Sequence, residues 1–122
     1  MTPPTENINA IESETINVLR GRRSIRKYSP APVTDEHVNA ILSGALRAPT
    51  SSNLHAYSVV VVRDPETKAK LAVPCGNQKH IVDCPVFLAY CADLTRIESA
   101  FQRNGHDIEN NNLELGMVAT ID

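Results

Sequence analysis

Two short apolar runs constrain this chain more than anything else in it. Residues 57–62 read Tyr-Ser-Val-Val-Val-Val, and residues 86–92 form the longest apolar stretch, seven residues from Val86 to Ala92. Seven is far short of the roughly 20 residues that span a bilayer as a helix. Runs of this length, rich in β-branched side chains at 57–62, fit buried strands. Helix signals surround them, so the expected class is α+β, with central strands at 57–62 and 86–92.

The helix signals are local and physical. Ser13 can cap a helix that carries Glu14, Ile16 and Leu19, with Gly21 as its C-terminal punctuation. Ser29-Pro30-Ala31-Pro32 reads as an extended connector, because each proline biases its predecessor away from helix. Thr34 caps the clearest helix, with Asp35 and Glu36 in the dipole-favoured first turn and Val38, Ile41, Leu42 and Ala45 on one face. Pro49 ends it. Asp64-Pro65 turns the chain into a short helix over 66–71, and residues 76–80 read as a polar loop. From Arg96 the chain reads as an Asn-rich tail, with Asn104, Asn110, Asn111 and Asn112. An apolar pattern then runs through Leu113, Leu115, Met117, Val118 and Ile121 and is still running at Asp122. That pattern predicts a helix cut short and a chain that is part of a folding unit. Residues 1–12 are expected to be a flexible tail and 13–122 a single domain, with no internal repeat.

Composition narrows the function. Of 122 residues, 42% are hydrophobic and 21% charged, as in an ordinary globular domain. With no Trp, two Phe and three Tyr, the core must rest on Val, Ile, Leu and Ala. The net charge of −2 argues against a general nucleic-acid or anionic-membrane binder. That average hides five cations in eight residues, Arg20, Arg22, Arg23, Arg26 and Lys27, which leave seven basic against 14 acidic residues elsewhere. A basic island in an acidic chain is a candidate anion site. Three cysteines without CxxC spacing argue against a secreted disulfide framework and a Cys-rich zinc site, and Cys84 and Cys91 are expected to be buried free thiols. The N-terminus lacks the basic and apolar regions of a signal peptide, so a reducing, cytoplasmic location is expected. His37, His55, His80 and His106 show no metal-ligand spacing, and no GxSxG, P-loop or GxGxxG is present. Nothing in the spacing favours a hydrolytic site built on His80 and Asp83.

Three loop segments carry the chemistry. In an extended segment 22–26, Arg22, Ser24 and Arg26 share one face, and Arg23 and Ile25 the other. Two guanidiniums flanking a hydroxyl suit a phosphate; a solvated basic face paired with acids elsewhere would give the same sequence. Residues 49–53, Pro-Thr-Ser-Ser-Asn, offer hydroxyl and amide groups for the polar edge of a planar ring or a ribityl chain, although an ordinary loop reads alike. Residues 76–80, Gly-Asn-Gln-Lys-His, combine close backbone approach with amide and ammonium donors, with the same alternative.

In this order the segments resemble the FMN-dependent nitroreductase and flavin reductase superfamily. Arg22-Arg23-Ser24-Ile25-Arg26-Lys27-Tyr28 looks like its N-terminal signature, followed by the Pro-Val-Thr helix start and by Ala48-Pro49-Thr50-Ser51-Ser52-Asn53-Leu54-His55. Gly76-Asn77-Gln78-Lys79-His80 and Cys91-Ala92-Asp93 are similar to the branch with the oxygen-insensitive, NADPH-dependent nitroreductases. The resemblance runs from about Glu14 to the C-terminus. It implies a nitroreductase-like fold, a mainly antiparallel central sheet flanked by helices, incomplete in this chain because members of the family are considerably longer.

The resemblance also implies the chemistry. Arg22, Arg23, Ser24 and Arg26 match the segment that binds the FMN phosphate and ribityl chain. Thr50 and Ser51 match the loop beside the flavin ring, Gln78 a contact to the isoalloxazine edge, and Lys79 its neighbour. FMN as cofactor, NAD(P)H as co-substrate, a small-molecule acceptor, ping-pong hydride transfer, a homodimer and no obligatory catalytic side chain follow from it. His55 stands where the family often has glutamine, and Tyr57 occupies the aromatic position two residues later. A truncated, non-catalytic flavin- or anion-binding module of the same fold is the alternative.

Overall fold

The structure, a computed structural model, describes residues 12–107 and 113–121. Residues 1–11 of the expected tail lie outside them. In chain order the elements are α1 (Glu14–Gly21), α2 (Asp35–Ala45), a 3-10 turn (Ser51–Asn53), β1 (Tyr57–Val62), α3 (Pro65–Ala72), α4 (Lys79–Asp83), β2 (Phe87–Ala92), α5 (Thr95–Arg103) and α6 (Leu113–Ile121).

The caps form where the sequence places them. Ser13 Oγ accepts from the Ile16 amide at 3.2 Å, and Thr34 Oγ1 accepts from the His37 amide at 3.4 Å. His37 Nδ1 lies 3.3 Å from the Thr34 amide, closing a capping box with an imidazole in the usual place of Glu or Gln. Asp64 Oδ2 accepts from the Thr67 amide at 2.7 Å and from its hydroxyl at 2.6 Å, opening α3 on Pro65. Those bonds hold the Asp64 carboxyl below its usual range, the Thr67 hydroxyl contributing most.

α1 ends at Gly21 as expected, and Arg22 leaves it with φ −58° and ψ 134°. Other expectations are corrected. α2 ends at Ala45, before Pro49, in a turn at Leu46 and Arg47. The 76–80 loop is shorter than expected because Lys79 and His80 begin α4, and the segment read as a tail from Arg96 carries α5.

β1 and β2 pair antiparallel, from Tyr57 opposite Ala92 to Val62 opposite Phe87. Their burial departs from expectation. Only Val62 is buried; Val60 is 51% and Tyr90 56% exposed. Strand side chains project from the two faces of the sheet, and their burial depends on what packs across each face; among the described residues that cover is partial at mid-strand. The thiols divide likewise, with Cys84 buried and Cys91 exposed at the far end of β2, as is Cys75.

The core is small and lies at one end of the sheet. Ala56, fully buried just before β1, packs with Ile97 of α5 and Ala119 of α6, flanked by Leu54 and Leu94. On the other side of the fold, Lys68 of α3 is 6% exposed and donates to the Cys84 carbonyl at the end of α4 at 2.5 Å. Its four methylenes are buried while the ammonium satisfies a helix-terminal carbonyl.

Candidate functional site

The basic segment leaves α1 extended, and every residue from Arg22 to Pro30 is exposed. Arg23 folds back on the helix end, its Nη1 donating to the Arg20 carbonyl at 3.0 Å and the Arg22 carbonyl at 2.9 Å. Ile25 and Lys27, two residues apart, line one hollow with Val33, His37, Ile41 and Pro85. Arg22, Ser24 and Arg26 do not line that hollow. The ion pairs among the described residues are Arg63 with Asp35 at 2.7 Å and Lys79 with Asp83 at 2.5 Å; neither involves Arg22 or Arg26.

The second segment is a strained loop tied down at both ends. Ser52 (φ 51°), Asn53 (φ 56°) and His55 (φ 48°) all occupy the left-handed region. Such conformations cost about 1–3 kcal/mol each for residues other than glycine and persist only where their surroundings enforce them. The enforcement is visible. The half-buried Thr50 caps the 3-10 turn by position, and its Oγ1 accepts from the His55 amide at 3.2 Å. The Asn53 and Leu54 amides bond the Thr50 and Ser51 carbonyls at 3.1 and 3.0 Å. His55 Nε2 lies 2.7 Å from Asn53 Oδ1. Two polar atoms beside this loop, His55 Nδ1 and the Tyr57 hydroxyl, are buried without a hydrogen-bond partner.

Beyond the loop, the end of β2 is laced to the start of β1. The Asp93 amide donates to the Ala56 carbonyl at 2.9 Å, and the Asp93 carboxylate accepts from the Ser58 hydroxyl. The same carboxylate accepts from the Thr95 amide at 2.9 Å and the Thr95 hydroxyl at 2.6 Å. Its pKa is lowered to about 2, by the Ser58 hydroxyl first, then by Thr95, with a smaller pull from the Arg96 charge. Arg96 Nη2 donates to two successive carbonyls, Leu54 and His55, each at 3.0 Å.

The third segment closes α3. Gly76 (φ 77°) and Asn77 (φ 53°) turn left-handed, and their amides bond the Val73 and Ala72 carbonyls at 3.2 and 2.8 Å. Gln78 is the exposed N-cap of α4 and makes no side-chain capping bond, so its amide is presented to solvent. Lys79 is the exposed partner of Asp83.

The structure thus brings Thr50 and Ser51 into one turn and Gln78 and Lys79 to one helix start. Arg22, Arg23, Ser24 and Arg26 lie on one exposed segment outside any helix or strand, and the three groups stand on different parts of the chain. The sequence reading gave no role to Ser58, Thr95 or Arg96 and named Asp93 only within the Cys91-Ala92-Asp93 segment; the Ser58 and Arg96 bonds span 35 to 42 residues and leave no local signal.

A family model described as the Nitroreductase family matches residues 19–83. The FMN reductase (NADPH) of Bacillus subtilis is 36% identical over 112 residues, which are 90% of this chain and 45% of that protein. The oxygen-insensitive NADPH nitroreductase of Salmonella typhimurium is 37% identical over 84 residues, 69% of this chain and 35% of its own length. The solved structure of B. megaterium NfrA2 superposes with a TM-score of 0.85 at 34% identity, covering 90% of this chain and 45% of that one. The chain's match spans 35–45% of the length of these two curated relatives. The helices and two-stranded antiparallel sheet described above are therefore part of the nitroreductase fold, and the chain belongs to the Nitroreductase family.

Proposed function

We propose that this protein is an FMN-dependent oxidoreductase, in which hydride passes from NAD(P)H to a nitroaromatic, quinone or flavin acceptor in a ping-pong cycle. The observation that carries the reading is the state of the basic segment. Arg22 and Arg26 lie on an exposed segment outside any helix or strand, with no ion pair to an acidic side chain among the described residues. Guanidinium forks without a carboxylate partner are what a phosphate monoester requires, and this donor set fits the FMN phosphate.

The remaining donors fit the rest of the nucleotide. Ser24 supplies a hydroxyl between the two guanidiniums. Thr50 and Ser51 sit in a loop whose strained backbone is fixed beforehand, so binding there orders little that is not already ordered. Gln78 offers an amide for a ring-edge carbonyl, and Lys79 stands beside it. Hydride chemistry is the cofactor's own when it is bound; the protein's part is to hold, orient and exclude water. No side chain need act as acid or base, consistent with three clusters made of binding groups.

A homodimer is part of the same reading. Leu113, Met117 and Ile121 repeat at i, i+4 and i+8 along α6 and are 80%, 54% and 78% exposed, an apolar stripe that a second copy would bury. A cytoplasmic location also belongs to the reading; no described helix is long and apolar enough to cross a membrane.

The test is direct. The purified chain is mixed with FMN and freed of excess by gel filtration. A protein peak carrying flavin bands, bleached by NADPH under stopped flow, is the expected result. A colourless peak would refute flavin binding by this chain. A coloured peak that NADPH fails to bleach would leave the non-catalytic binding module as the correct reading.

A further inference from the structure

Arg96 is placed against the interest of its own helix. It is the second residue of α5, where the helix dipole disfavours a cation, and the side chain instead reaches back 42 residues in sequence. One nitrogen, Nη2, donates at 3.0 Å to both the Leu54 and the His55 carbonyl. Those carbonyls flank the point where His55 turns left-handed (φ 48°) before the chain enters β1 at Tyr57. The His55 amide in turn donates to Thr50 Oγ1, so one hydrogen-bonded chain leads from the guanidinium to the first residue of the polar turn.

Arg96 is itself held in register. Thr95, its neighbour, is pinned by amide and hydroxyl to Asp93, and Asp93 is pinned to Ser58 and to the Ala56 carbonyl. Next along α5, Ile97 packs against Ala56 in the core. Arg96 is thus anchored on both sides and spans to a loop that its own backbone conformation would not hold.

We infer that Arg96 is a positioning residue, a clamp that fixes the left-handed turn at His55 and so presents Thr50 and Ser51 in a ready-made arrangement. This rests on the reading of those two residues as the flavin-side loop. The clamp acts through the backbone and touches no cofactor, so it acts on flavin affinity by way of loop order.

The test compares Arg96→Met with the native chain by amide hydrogen exchange, FMN titration and thermal unfolding. The Leu54 and His55 amides should exchange about tenfold faster or more in the variant, while those between β1 and β2 keep their protection. FMN should bind about tenfold more weakly with little change in Tm. Arg96→Lys, which keeps a cation able to reach one carbonyl, should recover part of both effects, and it replaces the methionine variant should that one unfold. Unchanged exchange at Leu54 and His55 would overturn the clamp. Faster exchange with undiminished FMN affinity would overturn its positioning role. A native chain that takes up no FMN would refute the cofactor reading, and the exchange comparison would still decide whether Arg96 fixes the turn.

Discussion

At the start of β1, residues 50–58 are tied to the chain around Asp93 by bonds from the Ser58 hydroxyl, the Arg96 guanidinium and the Asp93 amide, over a core of Ala56, Ile97 and Ala119. At the end of α1, residues 22–30 are exposed throughout, and the described bonds of Arg23 go to carbonyls one and three residues away. Both regions carry proposed contacts to one cofactor, yet only the first is arranged by the protein itself. Fixing a strained loop beforehand removes an ordering cost from binding, and it suits groups that must face a planar ring at defined positions. A charged phosphate tolerates looser geometry, because charge-assisted bonds are strong and the arginine fork brings its own shape. The two regions should therefore fail differently: the first through stability and loop order, the second through affinity alone.

The largest expected effect removes the support of the ordered region. Ile97→Ala should cost about 2–5 kcal/mol of unfolding free energy in a denaturant titration, through lost burial and the cavity left beside Ala56. A smaller loss would mean that the corner collapses around the vacancy and that its polar bonds carry more of the order than its core does.

Arg26→Ala probes the other region and should separate the two quantities. Flavin affinity should fall by about 2 kcal/mol, roughly thirtyfold, as expected for a charge-assisted contact. The unfolding midpoint should not move, because Arg26 is exposed and outside the ion pairs described. An unchanged affinity would show that segment 22–26 is a solvated basic face. A lowered midpoint would show that the segment is more ordered than its exposure indicates.

The same contrast explains what was legible in the sequence. Ser13 and Thr34 act on amides three residues away, and each reads correctly because cap, spacing and partner lie in one short window; Asp64, read only as part of a turn, caps α3 in the same way. The antiparallel run at 57–62 reads as a strand for similarly local reasons. Its burial does not, because burial depends on what lies across the face, and Val60 remains half open. α5 was hidden by its polar residues, although Ile97 and Phe101 sit four apart on it, one buried and one exposed. Of the proposed site, the residue types were visible in the sequence and their support was not. Arg96 lies in a segment with no motif of its own, and its partners are backbone carbonyls, which carry no residue identity.

A milder change tests the near end of the clamped loop. Thr50→Val keeps the β-branched shape and removes the acceptor of the His55 amide, so it should cost about 1 kcal/mol of stability. It should also weaken FMN binding more than a distant substitution of equal cost. Equal effects would mean that Thr50 serves the turn only as a structural cap.

The smallest effect distinguishes the regions by acid alone. The Asp93 pKa in the folded chain is about 2, below that of an unfolded aspartate near 3.9, because the Ser58 and Thr95 donors favour its charged form. A carboxyl whose pKa is depressed by folding contributes stability that is fully present above the unfolded value, and that contribution is lost as pH falls from about 4 toward 2. Loop amides at 54–58 should therefore lose protection over that interval in a native-state exchange series. Asp93→Asn should flatten the response by removing the titrating carboxylate. Segment 22–28 holds arginines, a lysine and no carboxylate, so its own charge is constant across that range. If both regions loosened together between pH 4 and 2, the order of the β1 corner would belong to the whole domain's acid unfolding and not to the bonds that Asp93 accepts.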